Sequence, residues 1–219
     1  MIQAAIFDMD GLMVDTEPIW ASAWPPAFAR YGLTVAPGLV EACVGSSYER
    51  ISGLVSQAYD GNPDAQRALD DHYEIGAERF IASGAPKKPG LDELLAWLVG
   101  RGIPCAVASS SERRVVEANL RHAGVASRFD ALVTGDDGYP SKPAPDIFLG
   151  AAARLGSEPA HTLVLEDSPS GVTAANAGGF ITVMVPDLIE PNDELRGRCA
   201  RVCRDLIEVR DLLASGWEG

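Results

Sequence analysis

Pairs of acidic residues follow two short apolar stretches of the sequence. Asp8 and Asp10 come after "IQAAIF". Glu166 is the last residue of "TLVLE", and Asp167 follows it. Like charges repel and a buried acid loses hydration, so such acids need a cation or a reacting partner. All-oxygen ligands suit a hard ion such as Mg²⁺. A carboxylate can also attack phosphorus, and a second carboxyl can exchange protons with the leaving oxygen and with water.

Polar groups of a different kind follow two further apolar stretches. Ser109, Ser110 and Ser111 come after "CAVA", and Lys142 lies in "GDDGYPSKPAPD" after "ALVT". A hydroxyl, the N–H groups of a helix start and an ammonium can together hold the oxygens of a phosphoryl group. The sequence therefore contains the groups needed for Mg²⁺-assisted phosphoryl transfer.

All of these groups come at the ends of predicted strands. The apolar runs that predict strands are "AAIF" near 4–7, "IPCAVA" at 103–108, "ALVT" at 131–134, "TLVLE" at 162–166 and "FITVMV" at 180–185. Stretches with helical spacing separate the later runs, such as "SERRVVEANLRHAG" and "DIFLGAAARLG", and "LDELLAWLVGRG" precedes the first of them. This alternation predicts a parallel sheet covered by helices on both faces. Ligands of such sheets bind outside the carboxyl ends of the strands, so we expect these groups to converge there.

The first predicted strand is followed by an insertion. After Pro18 the chain shows only helical patterns, until "GAPKKPG" forms a linker rich in Pro and Gly. The simplest arrangement that accounts for this interruption is an α/β core made of residues 1–15 and 86–219, with residues 16–85 forming a helical cap.

Composition argues against several classes of partner. The chain has 219 residues and a net charge of −13, with 31 acidic against 18 basic side chains, so we do not expect it to bind a nucleic-acid polymer. No apolar run reaches the roughly 18–20 residues that span a bilayer. The four Cys are scattered, and the first residues lack the pattern of a secretion signal. We expect a cytoplasmic protein that is a monomer and does not contact membranes.

The sequence resembles haloacid-dehalogenase-type (HAD) phosphohydrolases with a helical cap, in the branch that holds β-phosphoglucomutase and small sugar-phosphate phosphatases. The four family motifs stand in order as "DMDGLMVDTEP", "VASSS", "SKPAPDIF" and "LEDSPSG". A lone D-x-D is a weak signal, but four motifs in order are highly specific, and the resemblance covers nearly the whole chain. It implies a Rossmann-like parallel-sheet core with a cap inserted after the first strand.

The resemblance also implies a role for each motif residue. Asp8 would be the nucleophile and a ligand of Mg²⁺. Asp10 would be the general acid/base, with its backbone carbonyl on the metal. Asp167 would be a metal ligand, with Glu166 beside it or reaching the metal through water. The phosphoryl group would be held by Ser109, by the amide of Ser110 and by Lys142.

The implied activity is that of a Mg²⁺-dependent phosphatase acting on a small phosphorylated metabolite, either a sugar phosphate or a nucleoside or nucleotide phosphate. The alternative is a β-phosphoglucomutase-like phosphosugar mutase. Mutases of this branch carry a His where this chain has Trp20 and, to grip a second phosphate, an Arg where it has Tyr48. A catalytically silent binding protein would be expected to lack Asp8 or Asp10, and a dehalogenase to lack Asp10.

Three residues of the predicted cap are candidates for contacts with the substrate: Glu17, Trp20 and Tyr48. Trp20 and Trp24 are four residues apart and share a helix face. They either pack inside the cap or reach down over the active site, and the sequence leaves both alternatives open. We expect specificity to lie in the cap, because a closing lid controls the access of water to the reacting groups.

Overall fold

The structure, a computed structural model, describes residues 2–46, 48–217 and 219. The strands are β1 (Ala4–Phe7), β2 (Cys105–Ala108), β3 (Ala131–Val133), β4 (Thr162–Glu166), β5 (Ile181–Met184) and β6 (Arg201–Val202). They form one sheet in the order β3-β2-β1-β4-β5-β6, and all neighbouring strands are parallel. The predicted parallel sheet is confirmed.

Among the described residues, four helices lie between β1 and the linker. They are α1 (Glu17–Ala29), α2 (Leu39–Cys43), α3 (Tyr48–Ala58) and α4 (Pro63–Ser83). These helices enclose an apolar cluster of their own, which includes Trp24, Phe28 and Leu69. The C-terminal half of α4 joins the main core through Ala77 and Phe80. The separate cluster supports a cap at residues 16–85, and the boundaries of that cap stay a prediction.

In the described part of the chain after the linker, six helices cover the two faces of the sheet. They are α5 (Leu91–Val99), α6 (Arg113–His122), α7 (Asp146–Leu155), α8 (Pro169–Ala177), α9 (Asp193–Arg196) and α10 (Leu206–Ala214). Strand side chains alternate between the faces, so Phe7 packs in the layer of α5, α6 and α10, and Ile6 packs in the layer of α7 and α8. Across the described residues, no helix combines the length and hydropathy needed to cross a bilayer.

The strand order places β1 at the point where the path of the chain reverses. Ile6 pairs with Ala106 of β2 on one side and with Val164 of β4 on the other. The chain builds outward from β1 to β3 and then returns to place β4 against β1. In open parallel sheets such a reversal leaves a crevice at the carboxyl ends of the strands, where ligands bind.

The patterns described above do not identify β6, α2, α9 or α10. The α10 sequence does carry a signal, because its buried Leu206, Val209 and Leu213 follow helical spacing, whereas the other three elements are very short. β6 contains two residues at the edge of the sheet, and α2 and α9 contain five and four residues. Such short segments hold too few residues to show a strand or helix period. Their positions depend on packing against the rest of the chain.

A histidine is buried in the insertion between two tryptophans. The His72 ring centroid lies 4.4 Å from that of Trp24 and 5.6 Å from that of Trp20. His72 Nε2 lies 3.0 Å from the Trp20 carbonyl oxygen, which can only accept, so Nε2 carries the hydrogen. None of the described residues bonds Nδ1. Burial lowers the pKa of His72 to about 4, and the bond to Trp20 offsets only part of this shift.

We expect His72 to make the fold less stable in acid. The pKa of His72 is 6.5 by reference and about 4 in the folded protein, so its stabilising contribution is complete above pH 6.5 and is lost as the pH falls to 4. The loss should reach about 3 kcal/mol. The free energy of unfolding is measured with urea at pH 7 and at pH 4 for the wild type and for His72→Leu. The difference between the two proteins should change between these pH values by the amount given.

The exposed His161 supplies the matched control for this experiment. His161→Gln should keep the pH dependence of the wild type, because that side chain is already in solvent. A stability difference between the wild type and His72→Leu that stays constant from pH 7 to pH 4 would contradict the prediction.

Candidate active site

The carboxyl ends of four neighbouring strands open into one cavity of about 620 Å³. The cavity-lining residues at these ends are Asp8 and Asp10 after β1, Ser110 and Ser111 after β2, Lys142 after β3, Glu166 at the end of β4 and Asp167 beyond it. The strands are parallel, so groups from distant parts of the chain meet at one edge. The structure therefore brings together the groups that the sequence singles out.

Lys142 lies between two carboxylates at the centre of the site. Its Nζ donates to Asp8 Oδ1 at 2.5 Å and to Glu166 Oε1 at 2.7 Å, and it lies 4.6 Å from the centre of the Phe148 ring. The Lys142 side chain is only 8 % exposed. Burial alone would lower the pKa of Lys142, but the charges of Asp8 and Glu166 raise it above its ordinary value. Lys142 is therefore a fixed positive charge in a nearly dry place, where charges interact strongly.

Three acids crowd around this ammonium. One carboxylate oxygen each from Asp8, Glu166 and Asp167 lies within 4.8 Å of the other two. Burial raises the pKa of Asp8 to about 7, with Glu166 and Asp10 adding to the shift and Lys142 opposing it. Burial, followed by the charges of Glu166 and Asp8, also raises the pKa of Asp167. One ammonium does not balance three carboxylates, so a further cation would stabilise their ionised forms.

The donor set fits a hard divalent cation. Asp8, Glu166 and Asp167 offer only carboxylate oxygens, the ligands that Mg²⁺ and Ca²⁺ prefer. Close by, Asp10 Oδ1 is buried, and none of the described residues gives it a hydrogen bond. The acidic cluster can therefore hold a metal ion.

Glu166 is also held by the start of the helix that follows it. Its Oε2 accepts hydrogen bonds from the backbone N and the Oγ of Ser168, at 2.8 and 2.9 Å. Ser168 is the N-cap of α8, and its Oγ accepts a hydrogen bond from Gly171 N at 3.1 Å. The first turn of α8 therefore fixes the Glu166 carboxylate.

Two glycines make room for the acids. A Cβ on Gly171 would lie 1.7 Å from Glu166 Oε1, so any side chain there would displace the carboxylate. Gly11 has a φ of +80°, and a Cβ on it would lie 2.3 Å from Asp167 Oδ2. Sequence reasoning misses the role of Gly171, whose signal is the last letter of "LEDSPSG".

Two serine hydroxyls hold Asp10. Ser109 Oγ donates to Asp10 Oδ2 at 3.2 Å, and Ser111 Oγ donates to the same oxygen at 2.9 Å. Ser109 Oγ in turn accepts a hydrogen bond from Ser111 N at 3.1 Å. Ser109 is fully buried, and its predicted contact with a phosphoryl group stays a prediction. The sequence assigns no role to Ser111, and the signal for it is the third serine of "VASSS".

The three candidate cap residues line the same cavity. Trp20 packs over Gly76, and its ring centroid lies 4.9 Å from that of Phe80. Trp20 therefore both packs inside the insertion and faces the site. The Tyr48 hydroxyl donates to a carboxylate oxygen of α4. Glu17 begins α1, and burial, followed by the charge of Asp187, raises its pKa.

These features define a class of enzyme that places a carboxylate after the central strand of a parallel sheet, beside a lysine and further acids. The chain belongs to the haloacid dehalogenase-like hydrolase family, whose model matches residues 2–179. The match contains all four motifs, and the resemblance stated from them is confirmed.

Two curated relatives show what proteins of similar sequence do. The chain is 36 % identical over 180 residues to fructose-1-phosphate phosphatase YqaB of Escherichia coli (strain K12), which covers 82 % of this chain and 94 % of the relative. It is also 36 % identical over 188 residues to a probable pseudouridine-5'-phosphatase of Drosophila melanogaster, covering 83 % of this chain and 80 % of the relative.

Solved structures show the same fold. A mutant of CbbY from Rhodobacter sphaeroides, in complex with xylulose-(1,5)bisphosphate, has a TM-score of 0.80 and 25 % identity, covering 95 % of this chain and 96 % of that one. β-Phosphoglucomutase from Clostridium difficile has a TM-score of 0.79 and 22 % identity, covering 99 % of this chain and 96 % of that one. At this identity the second likeness concerns the fold alone.

Proposed function

We propose that this protein is a Mg²⁺-dependent phosphatase that hydrolyses a small phosphomonoester through an aspartyl-phosphate on Asp8, with Asp10 as general acid/base. The observation that carries the proposal is the position of Lys142 Nζ, 2.5 Å from Asp8 Oδ1 and inside the acidic cluster. A phosphoryl group bound here would meet a nucleophilic carboxylate and a fixed positive charge together. The phosphatase names of the curated relatives support the same reaction.

The reaction takes two steps on the residues of this chain. The Asp8 carboxylate attacks phosphorus, the bond to the alcohol oxygen breaks, and Asp10 donates a proton to that oxygen. Asp10 then takes a proton from water, whose oxygen attacks the phosphorus and releases phosphate and the Asp8 carboxylate. The Ser109 and Ser111 hydroxyls bond one Asp10 oxygen, so they hold its carboxyl in one orientation for both transfers.

The phosphoryl oxygens need positive partners during both steps. We assign this task to Lys142, the amide of Ser110 and the hydroxyl of Ser109, as the family resemblance implies. The metal, held by Asp8, Asp167 and the Asp10 carbonyl with Glu166 beside it, would neutralise charge on the transferred group. We name Mg²⁺ because the donors are all oxygen.

The protein is proposed to act as a cytoplasmic monomer on a small phosphorylated metabolite, with residues 16–85 as its lid. Trp20 and Tyr48 stand at the positions where mutases of the branch carry a His and an Arg. The Tyr48 hydroxyl is neutral and hydrogen-bonded, so it offers no charge to a second phosphate. This favours the phosphatase over the phosphosugar mutase.

Removal of the metal tests the mechanism. We expect EDTA treatment to lower the turnover of an aryl phosphate by at least about 100-fold, and Mg²⁺ to restore it. Ca²⁺ should restore little, because it favours a looser and higher coordination. Phosphate release measured after dialysis against each ion is the readout. Full turnover in metal-free buffer would overturn the metal-dependent mechanism.

A further inference from the structure

The cavity has a lid half, formed by side chains of the insertion. Its charged members among the described residues are Glu17, Asp70 and Glu74, all of them acids. Lys142, on the floor, is the one Lys or Arg among the described residues that line the whole cavity. The lid half therefore presents negative charge to whatever part of the substrate extends away from the phosphoryl group.

The acids of α4 face the cavity because of their spacing. Asp70, Tyr73, Glu74 and Ala77 line it and follow the i, i+3, i+4, i+7 pattern of one helix face. Asp70 Oδ1 accepts a hydrogen bond from the Tyr48 hydroxyl at 2.8 Å. That partner is neutral, so the bond positions the Asp70 carboxylate without cancelling its charge.

The Tyr48 hydroxyl is itself fixed by a short chain of hydrogen bonds. It accepts from Gln66 Nε2 at 3.1 Å, and Gln66 Oε1 accepts from Ser52 Oγ at 2.9 Å. In the described part of the chain, no hydrogen bond uses Asp70 Oδ2. An ionised carboxylate only accepts hydrogen bonds, so this oxygen suits a hydroxyl donor of the substrate.

Two basic side chains at or beside the cavity are paired with acids. Lys142 bonds Asp8 and Glu166, as described above. The Arg114 guanidinium bonds both oxygens of Glu74, at 3.0 and 2.6 Å, and bonds Glu112 at 2.6 Å. Arg114 offsets the charge of Glu74, but Glu112 adds a second carboxylate, so these three side chains together stay negative and do not make the lid half attractive to anions.

We infer that the lid half selects phosphomonoesters whose alcohol is uncharged and bears hydroxyls, that it rejects esters with a second anionic group, and that Asp70 is a specificity-determining residue. The inference rests on the proposed function and adds to it the class of substrate. A second phosphate or a carboxylate in the lid half would meet like charge, and Lys142 on the floor is the one Lys or Arg among the described residues that line the cavity. The bisphosphate bound by the structurally similar CbbY therefore belongs to a class that this chain should reject.

The test compares fructose 1-phosphate with fructose 1,6-bisphosphate, which share the sugar and differ in the second phosphate. We expect the wild type to have a kcat/KM for the monophosphate at least about tenfold higher. Asp70→Asn keeps the shape of the side chain and removes its charge, so it should narrow this preference about threefold or more. Asp70→Lys should narrow it further, because it places a cation in the lid half.

Glu78→Gln is the matched control. Glu78 lies on the same helix and is exposed, and it does not line the cavity. The variant replaces an acid with its amide, so it changes the net charge by the same amount as Asp70→Asn but outside the cavity. It should leave the preference at the value of the wild type. Thermal unfolding of each variant checks that the fold is retained. Because Asp70→Asn and Asp70→Lys are both measured, the test does not depend on a single variant folding correctly.

An aryl phosphate distinguishes a failure of the substrate inference from a failure of the proposed function, because it needs little contact with the lid. If the wild type hydrolyses it but does not distinguish the two fructose esters, or if the charge at position 70 leaves the preference unchanged, the inference is overturned and the proposed function stands. If the wild type hydrolyses none of the three esters in the presence of Mg²⁺, the proposed function is overturned, and the inference with it.

Discussion

Asp8→Asn should remove the turnover of all phosphomonoesters, by at least about 10⁴-fold. The side chain keeps its size, but an amide is a poor nucleophile and cannot form the aspartyl-phosphate. No other described carboxylate has the same surroundings, because Asp8 alone combines a place after the central strand with a 2.5 Å contact to Lys142 Nζ. Phosphate release from an aryl phosphate and from a sugar phosphate, both with Mg²⁺, measures the loss.

The matched control is Asp15→Asn. Asp15 lies in the same segment, but its side chain is 41 % exposed and lies 3.7 Å from Lys88 at the junction with the linker. Its backbone N donates to the Pro86 carbonyl oxygen at 2.8 Å, a contact that the substitution leaves in place. Asp15→Asn should therefore keep turnover within a few-fold of the wild type. Near-normal turnover by Asp8→Asn would show that the nucleophile lies elsewhere.

The prediction extends to the covalent intermediate. Wild-type protein quenched in acid during turnover of an ester labelled in its phosphoryl group should carry the label, and Asp8→Asn should not. Asp10→Asn retains the nucleophile, so it should still accept the label but turn over about 10²–10⁴-fold more slowly. This pattern distinguishes the two acids, which an activity loss alone would not.

The positions of the site residues could be predicted from sequence because they depend on strand ends. A run such as "AAIF" predicts where β1 stops, and the rule for parallel sheets then predicts that Asp8 and Glu166 meet. The same reasoning identified the sheet and most of its helices. It needs only the path of the backbone, which the hydrophobic pattern largely determines.

The direction of each side chain could not be predicted in the same way. Ser109 and Ser111 turn towards Asp10, and this choice depends on rotamers and neighbouring hydrogen bonds. The need for glycine at position 171 can be recognised only once the position of the Glu166 carboxylate is known. Trp20 shows a further limit of sequence reasoning. Its spacing leaves open whether the ring packs inside the cap or reaches over the active site, and in the structure the ring does both.

The net charge of −13 has a physical link to the site. An acidic surface and an acidic lid repel anions, so a phosphate ester must be attracted by local charges. Among the described residues that line the cavity, Lys142 is the one Lys or Arg. A bound metal would add to that charge at the floor, so the attraction would be concentrated at the phosphoryl group, and the rest of the cavity would act against further anions.

Replacement of Lys142 by Met should therefore affect both the fold and the activity. Met keeps much of the length of the side chain and its contact with Phe148, but it leaves Asp8 and Glu166 buried without their shared cation. Removal of one partner of a buried ion pair costs about 3–5 kcal/mol, and we expect this loss in the free energy of unfolding measured with urea in EDTA. Turnover should fall by about 10²–10³-fold, because the proposed donor to the transferred phosphoryl group is lost as well.

Lys87→Met is the matched control for the loss of a lysine. Lys87 lies in the linker, where its 37 % exposed side chain pairs with Asp92, and exposed pairs of this kind contribute about 0–1 kcal/mol. It should change stability by no more than that and leave turnover near the wild-type value. Equal stability of Lys142→Met and the wild type would mean that the three acids at the strand ends tolerate their mutual repulsion without the ammonium. In that case, the position of Lys142 would not support a phosphoryl-binding role.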